Sequence, residues 1–157
     1  VSSKGKIAIS GRSNGGVLVG AAVNQRPDLY GAVISGSPLG DMKRYDKLLA
    51  GASWVGEYGD PDNPEHWAFI SEYSPYQNIA PSVDSPPVFF YSSTLDDRVH
   101  PGHARKMAAR FEEYDNTVYF HEYMEGGHSV GADHAEDAKR AALLAAFLNK
   151  ALVDGED

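Results

Sequence analysis

The sequence predicts an α/β fold with a mostly parallel sheet of about four strands flanked by helices. Short β-like runs alternate with helical patterns along the whole chain, as a parallel sheet with crossover connections requires. The last long helical segment carries Ala138, Leu143, Leu144, Phe147 and Leu148 largely on one stripe, the pattern of a helix packed on a sheet. At 157 residues the chain is about one domain long, enough to bury a real core, and it shows neither internal repeats nor low-complexity stretches.

In chain order, Lys6-Ile7-Ala8-Ile9 reads as a buried strand. Gly11-Arg12-Ser13-Asn14-Gly15-Gly16 follows, then a helix to about Asn24 that stops near Pro27. Gly31-Ala32-Val33-Ile34-Ser35 is the second strand. The aromatic-rich stretch 41–80, punctuated by Gly and Pro, predicts short helices and an excursion over the sheet. Such connections often carry binding residues on a rigid scaffold. Residues 87–91 and 117–121 are the third and fourth strands, separated by a helix over roughly 103–114. A final helix spans about 135–152.

Composition excludes several classes. Apolar residues make up 42% and charged residues 23%, ordinary for a soluble globular domain. No apolar run reaches the ~18 residues of a membrane span. The start, Val1-Ser2-Ser3-Lys4-Gly5, leads into a strand and does not read as a signal peptide. With no cysteine, disulfides, thiolate metal sites and a cysteine nucleophile are ruled out, while both cytoplasm and periplasm stay open. A net charge of -8 argues against a nucleic-acid surface. The histidines lack H-E-x-x-H spacing, so neither a metal nor another cofactor is expected.

The chemistry begins at Gly11-Arg12-Ser13-Asn14-Gly15, a G-x-S-x-G pattern with a strand before it and a helix after it. A serine lifted out of a sheet on a tight turn needs strained backbone angles, and glycines two residues away on either side relieve the expected collision. Amides at the helix N-terminus then lie where negative charge develops in acyl transfer. A serine hydroxyl needs a base, and the base an orienting acid. In this fold the chain order is Ser, acid, His. Asp96 and Asp97 follow the third strand; Asp96, first after the turn, is the expected acid and Asp97 the alternative, otherwise a structural partner capping a turn. Of six histidines, His128 sits on a glycine-flanked loop just past the fourth strand and is the expected base. His66, His100, His103, His121 and His134 read as strand-face, solvent-facing helix or loop residues.

With these residues placed, the chain resembles the prolyl oligopeptidase family of serine peptidases. Ser-Asn-Gly-Gly at 13–16, Gln25-Arg26-Pro27-Asp28-Leu29-Tyr30, Asp41-Met42, Glu57-Tyr58-Gly59, Tyr73-Ser74-Pro75 and Asp96-Asp97-Arg98-Val99 match that family's pattern in order. The resemblance implies a peptide substrate cleaved on the carboxyl side of proline. It places Trp54 against the substrate proline ring, a stacking suited to a flat aromatic. It makes Leu39, Tyr58 and Val99 further pocket walls, and Arg98 the donor to the carbonyl before the proline. The backbone amide of Asn14 is the implied oxyanion-hole donor.

Two departures stand out. Arg12 occupies a position where the family usually has glycine, adding bulk and charge beside the turn. Only four strands are visible and the first already delivers the nucleophile, so residues 1–157 read as the C-terminal half of an α/β-hydrolase fold. The upstream strands, a second oxyanion donor and a β-propeller lie outside this chain on that reading. An apolar strand edge at residues 5–11 is then expected to be covered, by a second copy in a homo-oligomer or by a complementary N-terminal part. Two other readings share the residues: a catalytically incompetent half-domain that associates or exchanges strands, and a small esterase or aminoacyl peptidase with the same triad.

Overall fold

The computed structural model describes residues 2–81 and 84–154, which leaves Val1, where the leader reading starts, outside the described residues. Four strands, β1 (Ala8–Arg12), β2 (Ala32–Gly36), β3 (Val88–Ser93) and β4 (Val118–Tyr123), pair in parallel in the order β1-β2-β3-β4. β2 and β3 are buried at every residue. Their near-continuous apolar runs follow from helices on both faces of the sheet.

Helices α1 (Gly15–Gln25) and α4 (Gly102–Glu113) cover one face, where Val19, Val23, Met107 and Phe111 meet Val33, Val88 and Phe90. Each successive strand is added on the same side of the last, so right-handed crossovers put both helices on the same face. Helix α5 (His134–Leu152) covers the other face. Its Phe147 ring lies 5.5 Å from Phe89 and 5.6 Å from Tyr119, between centroids. Asp133 caps α5 by accepting the Glu136 N–H.

The reading of residues 6–9 as a buried strand is corrected. β1 starts at Ala8 and runs to Arg12, and Lys6, Ile7, Ala8, Ser10 and Arg12 are all exposed. The cause is position: β1 is a terminal strand, and α5 packs over β2, β3 and β4 without reaching it. Apart from Ile7, at 41% exposure, the outward residues of this edge are small or polar.

The 41–80 excursion contains α2 (Val55–Tyr58), α3 (Pro64–Ser71) and three short 3-10 turns, as expected. It builds its own core of Leu39, Met42, Tyr45 and Ile70 around Val17 of α1, with Trp54, Tyr58, Trp67 and Tyr73 packed against it. One buried carboxylate ties it to α4. Asp41, 1% exposed, accepts hydrogen bonds from Arg44 (2.9 Å), Gln77 (2.6 Å) and Lys106. Burial alone would raise the Asp41 pKa, but these three donors outweigh it and hold the group below the usual carboxylate range.

His103, on α4, corrects the surface reading of that histidine: it is 1% exposed, and its Nδ1 accepts the Asp41 N–H at 3.0 Å. Burial pushes its pKa down to about 4 from an ordinary 6.5. In that interval the unfolded chain binds a proton that the folded chain does not, so stability is full above pH 6.5 and is lost as pH falls toward 4. Urea unfolding of the intact protein at pH 7 and at pH 5 checks this. His103→Asn, whose carboxamide oxygen can accept the Asp41 N–H, should reduce the loss over that interval by about 2 kcal/mol. Equal losses in both proteins would contradict it.

Candidate active site

The turn that carries Ser13, the expected nucleophile, links β1 to α1. Ser13 has φ +58°, a left-handed conformation that costs a non-glycine residue energy and therefore needs support from its surroundings. That support is local: the Ser13 N–H donates to Gly36 O at 2.9 Å, and Ser13 O accepts from Gly16 and Leu39, each at 2.9 Å. The turn thus rests on the end of β2 and the segment after it.

The glycines divide their work differently from the sequence expectation. A Cβ on Gly11 would lie 2.4 Å from Val19 Cγ2 and 2.5 Å from Gly15 O, so that position must stay bare for α1 to close on β1. A Cβ on Gly15 would meet nothing within 4 Å, which corrects the expectation that both glycines relieve a clash. Gly15 opens α1 and faces a cleft instead. The second glycine with a steric duty is Gly16, where a Cβ would fall 2.5 Å from Pro38 Cβ. Arg12 is exposed and has no polar side-chain partner among the described residues, so its bulk lies outside the turn.

Ser13, His128 and Asp96 form one hydrogen-bonded row. His128 Nε2 is 3.0 Å from Ser13 Oγ, and its Nδ1 is 3.0 and 2.9 Å from the two Asp96 carboxylate oxygens. Asp96 sits just past β3, with its carboxylate fully buried, and accepts the N–H groups of Arg98 and Val99, each at 2.9 Å. The turn at 96–99 is therefore closed by the acid itself. Asp97 is exposed and makes no side-chain hydrogen bond among the described residues, so the turn-capping role considered for it belongs to Asp96.

His128 sits on a strained loop just past β4. Gly126 has φ +84°, and Val130, wholly buried, has φ +81°, rare for a β-branched residue. The loop is tied at several points: Ser93 Oγ donates to Gly126 O, Val130 N–H donates to Gly127 O at 2.9 Å, and Arg140 reaches Ser129 O at 3.4 Å.

Beside the row lies an open cleft of about 550 Å³, walled by Asn14, Gly15, Leu18 and Ala21 of the turn and α1, and by Glu57, Tyr58 and Tyr73 of the excursion. Of the residues read as a substrate pocket, Tyr58 lines it. Trp54 is half-buried, packed with Tyr58 against the core that holds Leu39. Leu39 and Val99 are buried, at 1% and 2% exposure, and Arg98 is exposed outside the cleft. The Arg98 carbonyl accepts the Ala50 N–H at 3.2 Å, joining the 96–99 turn to the segment that carries Trp54. Glu57 and Tyr73, read only as part of family motifs, and Leu18 and Ala21, not singled out at all, also line the cleft. The signal for Leu18 and Ala21 was available: Gly15, Leu18 and Ala21 share one α1 face at three-residue spacing, and the helix has no polar residue before Asn24, so an apolar side chain must face outward, as Leu18 does at 71% exposure.

Among the described residues, Asp46, Asp60 and Asp62 bring carboxylates together, but Asp62 is paired with Lys47 at 2.7 Å and its N–H donates to Asp60. This group lies apart from the serine row.

Comparison with known proteins gives a consistent result. The family profile described as the prolyl oligopeptidase family matches residues 1–155. An uncharacterized peptidase, y4nA, of Sinorhizobium fredii is 46% identical over 156 residues, covering 99% of this chain and 22% of the relative. Prolyl oligopeptidase ophP of Omphalotus olearius is 41% identical, covering 96% of this chain and 21% of that protein. The structure of a post-proline cleaving enzyme from Rickettsia typhi superposes with a TM-score of 0.93 at 40% identity, over 96% of this chain and 22% of that one. The chain thus spans about a fifth of the length of the curated relatives it matches.

The glycine geometry sets a contrast that thermal unfolding can read. Gly11→Ala and Gly16→Ala should each destabilise by roughly 2 kcal/mol or more, because backbone must move. Gly15→Ala should be neutral or stabilising by up to about 1 kcal/mol, as it only improves helix propensity. Equal effects at all three positions would contradict the assignment.

Proposed function

This chain belongs to the prolyl oligopeptidase family, and on that premise we propose that it is the C-terminal part of a serine peptidase catalytic domain that cleaves peptides after proline. The observation that carries the proposal is the row Ser13–His128–Asp96, assembled from the ends of β1, β3 and β4 at hydrogen-bond distances. The upstream strands of the sheet, and a β-propeller, belong on this reading to the larger share of the protein that its relatives possess and this chain does not span.

The mechanism follows from the geometry. As Ser13 Oγ attacks the scissile carbonyl carbon, His128 Nε2 takes its proton. Asp96 holds the imidazole with Nδ1–H toward its carboxylate and stabilises the cation that forms. The developing oxyanion is met by the Asn14 N–H, which has no hydrogen-bond partner among the described residues and stands at the N-terminal end of α1. His128 then returns the proton to the departing amine, leaving an acyl-enzyme that water attacks by the same steps in reverse. Trp54 would stack on the proline ring with Tyr58, Leu39 and Val99 around it, and Arg98 would donate to the preceding carbonyl. A second oxyanion donor would come from the upstream part.

A second reading has one supporting observation, the uncovered edge and face of β1. On that reading, residues 1–157 alone associate with a complementary part or another copy and are inactive without it.

Replacing Ser13 by Ala in the complete protein should lower the cleavage rate of a proline-amide reporter by about 10⁴ or more. Retained turnover would overturn the proposal. A simple acyl ester cleaved in preference to the proline amide would point to the esterase reading instead.

A further inference from the structure

The Asn14 side chain does something that its position does not require. It occupies the N-cap of α1, yet it makes no capping hydrogen bond. Its carboxamide instead reaches across the cleft to two consecutive residues of α2. Nδ2 donates to the Glu57 carboxylate at 3.2 and 3.4 Å, and Oδ1 accepts from the Tyr58 hydroxyl. The polarity is fixed by chemistry: an ionised carboxylate only accepts, so the amide nitrogen must face Glu57 and the oxygen Tyr58. Burial, with Glu57 beside it, pushes the Tyr58 hydroxyl up to about 12, so it remains a proton donor.

We propose that Glu57 is a positioning residue, which through the Asn14 carboxamide holds the Ser13–Asn14 peptide unit in register for oxyanion binding. The inference rests on the serine-peptidase reading of Ser13 and adds to it a role for a residue 43 positions away. Its physical basis is the strain at the turn. Ser13 is held at φ +58°, and the unit that follows it carries an amide without a partner among the described residues. Backbone hydrogen bonds secure Ser13 on the sheet side, through Gly36 and Leu39. The next residue is held by its carbonyl, which accepts the Val17 N–H at 3.0 Å, and on the cleft side by the Asn14 side chain, gripped at both ends of its carboxamide. Glu57 also connects chemistry to recognition, because Tyr58 belongs to the same clasp and to the core on which Trp54 packs. A substrate residue that shifts that wall therefore shifts the oxyanion donor.

Four variants of the complete protein test this with a proline-amide reporter, each first checked for cooperative thermal unfolding. Asn14→Asp sets two carboxylates against each other and should lower kcat by about ten- to a hundredfold, with little change in KM. Its deficit should grow as pH rises through the carboxylate range. Adding Glu57→Gln to that variant should recover most of kcat, because the glutamine amide then donates to the introduced carboxylate while Tyr58 still does. Glu57→Ala should lower kcat about tenfold, and Glu57→Gln alone should restore much of that loss, since its amide oxygen still accepts from Asn14. A double variant no faster than Asn14→Asp alone, or an unchanged kcat in Glu57→Ala, would overturn the proposal. If Ser13→Ala itself retains turnover, the peptidase reading fails; if it is inactive while the clasp variants behave like wild type, the clasp alone fails.

Discussion

The close approach of α1 to β1 at Gly11 is the constraint on which the site depends. With no room for a Cβ between Gly11, Val19 and Gly15, the helix starts at once after the strand, and the residue at the bend, Ser13, is forced to positive φ. That conformation lifts the hydroxyl out of the sheet and leaves the next amide without a partner among the described residues. Gly16, pressed on Pro38, keeps the helix seated from the other side. On the proposed mechanism, the nucleophile and its anion-binding amide are thus produced together by a packing requirement, before any acid or base is considered.

The remaining groups come from the same sheet. Parallel strands bring their carboxyl ends to one edge, so the loops after β3 and β4 deliver Asp96 and His128 beside the serine turn. Each loop is rigid for its own reason. Asp96 is fixed by two backbone amides of its own turn, and His128 by a loop closed around buried Val130. The anchors of the 41–80 excursion include Asp41 on α4, Ala50 on the 96–99 turn, Pro75 on Asn24 of α1 and Tyr58 on Asn14. The excursion and the Ser13 turn therefore share hydrogen bonds and do not merely adjoin.

Much of this arrangement was legible in the sequence. Alternation of β-like and helical runs gave β2, β3, β4 and the long helices within about two residues and β1 within three, and G-x-S-x-G with the chain order Ser, Asp, His picked out the three residues that meet. The failures have physical causes. A motif cannot say which of two adjacent glycines faces a neighbour, and here it is Gly16, not Gly15, that packs. An apolar run does not reveal whether its strand is central or terminal, so β1 read as buried when α5 leaves it uncovered. His103 sits among Gly102, Ala104, Arg105 and Lys106, a polar context that hides its inward side. The Asn14–Glu57 contact joins residues 43 apart and leaves no periodic trace.

Reaction of the complete protein with a fluorophosphonate, followed by peptide mass mapping, tests whether His128 activates Ser13. A single adduct is expected on Ser13 Oγ, formed at a rate that collapses in His128→Ala, because only a base-activated serine attacks such a phosphorus centre quickly. An adduct on another residue, or labelling of Ser13 at the same rate without His128, would contradict it.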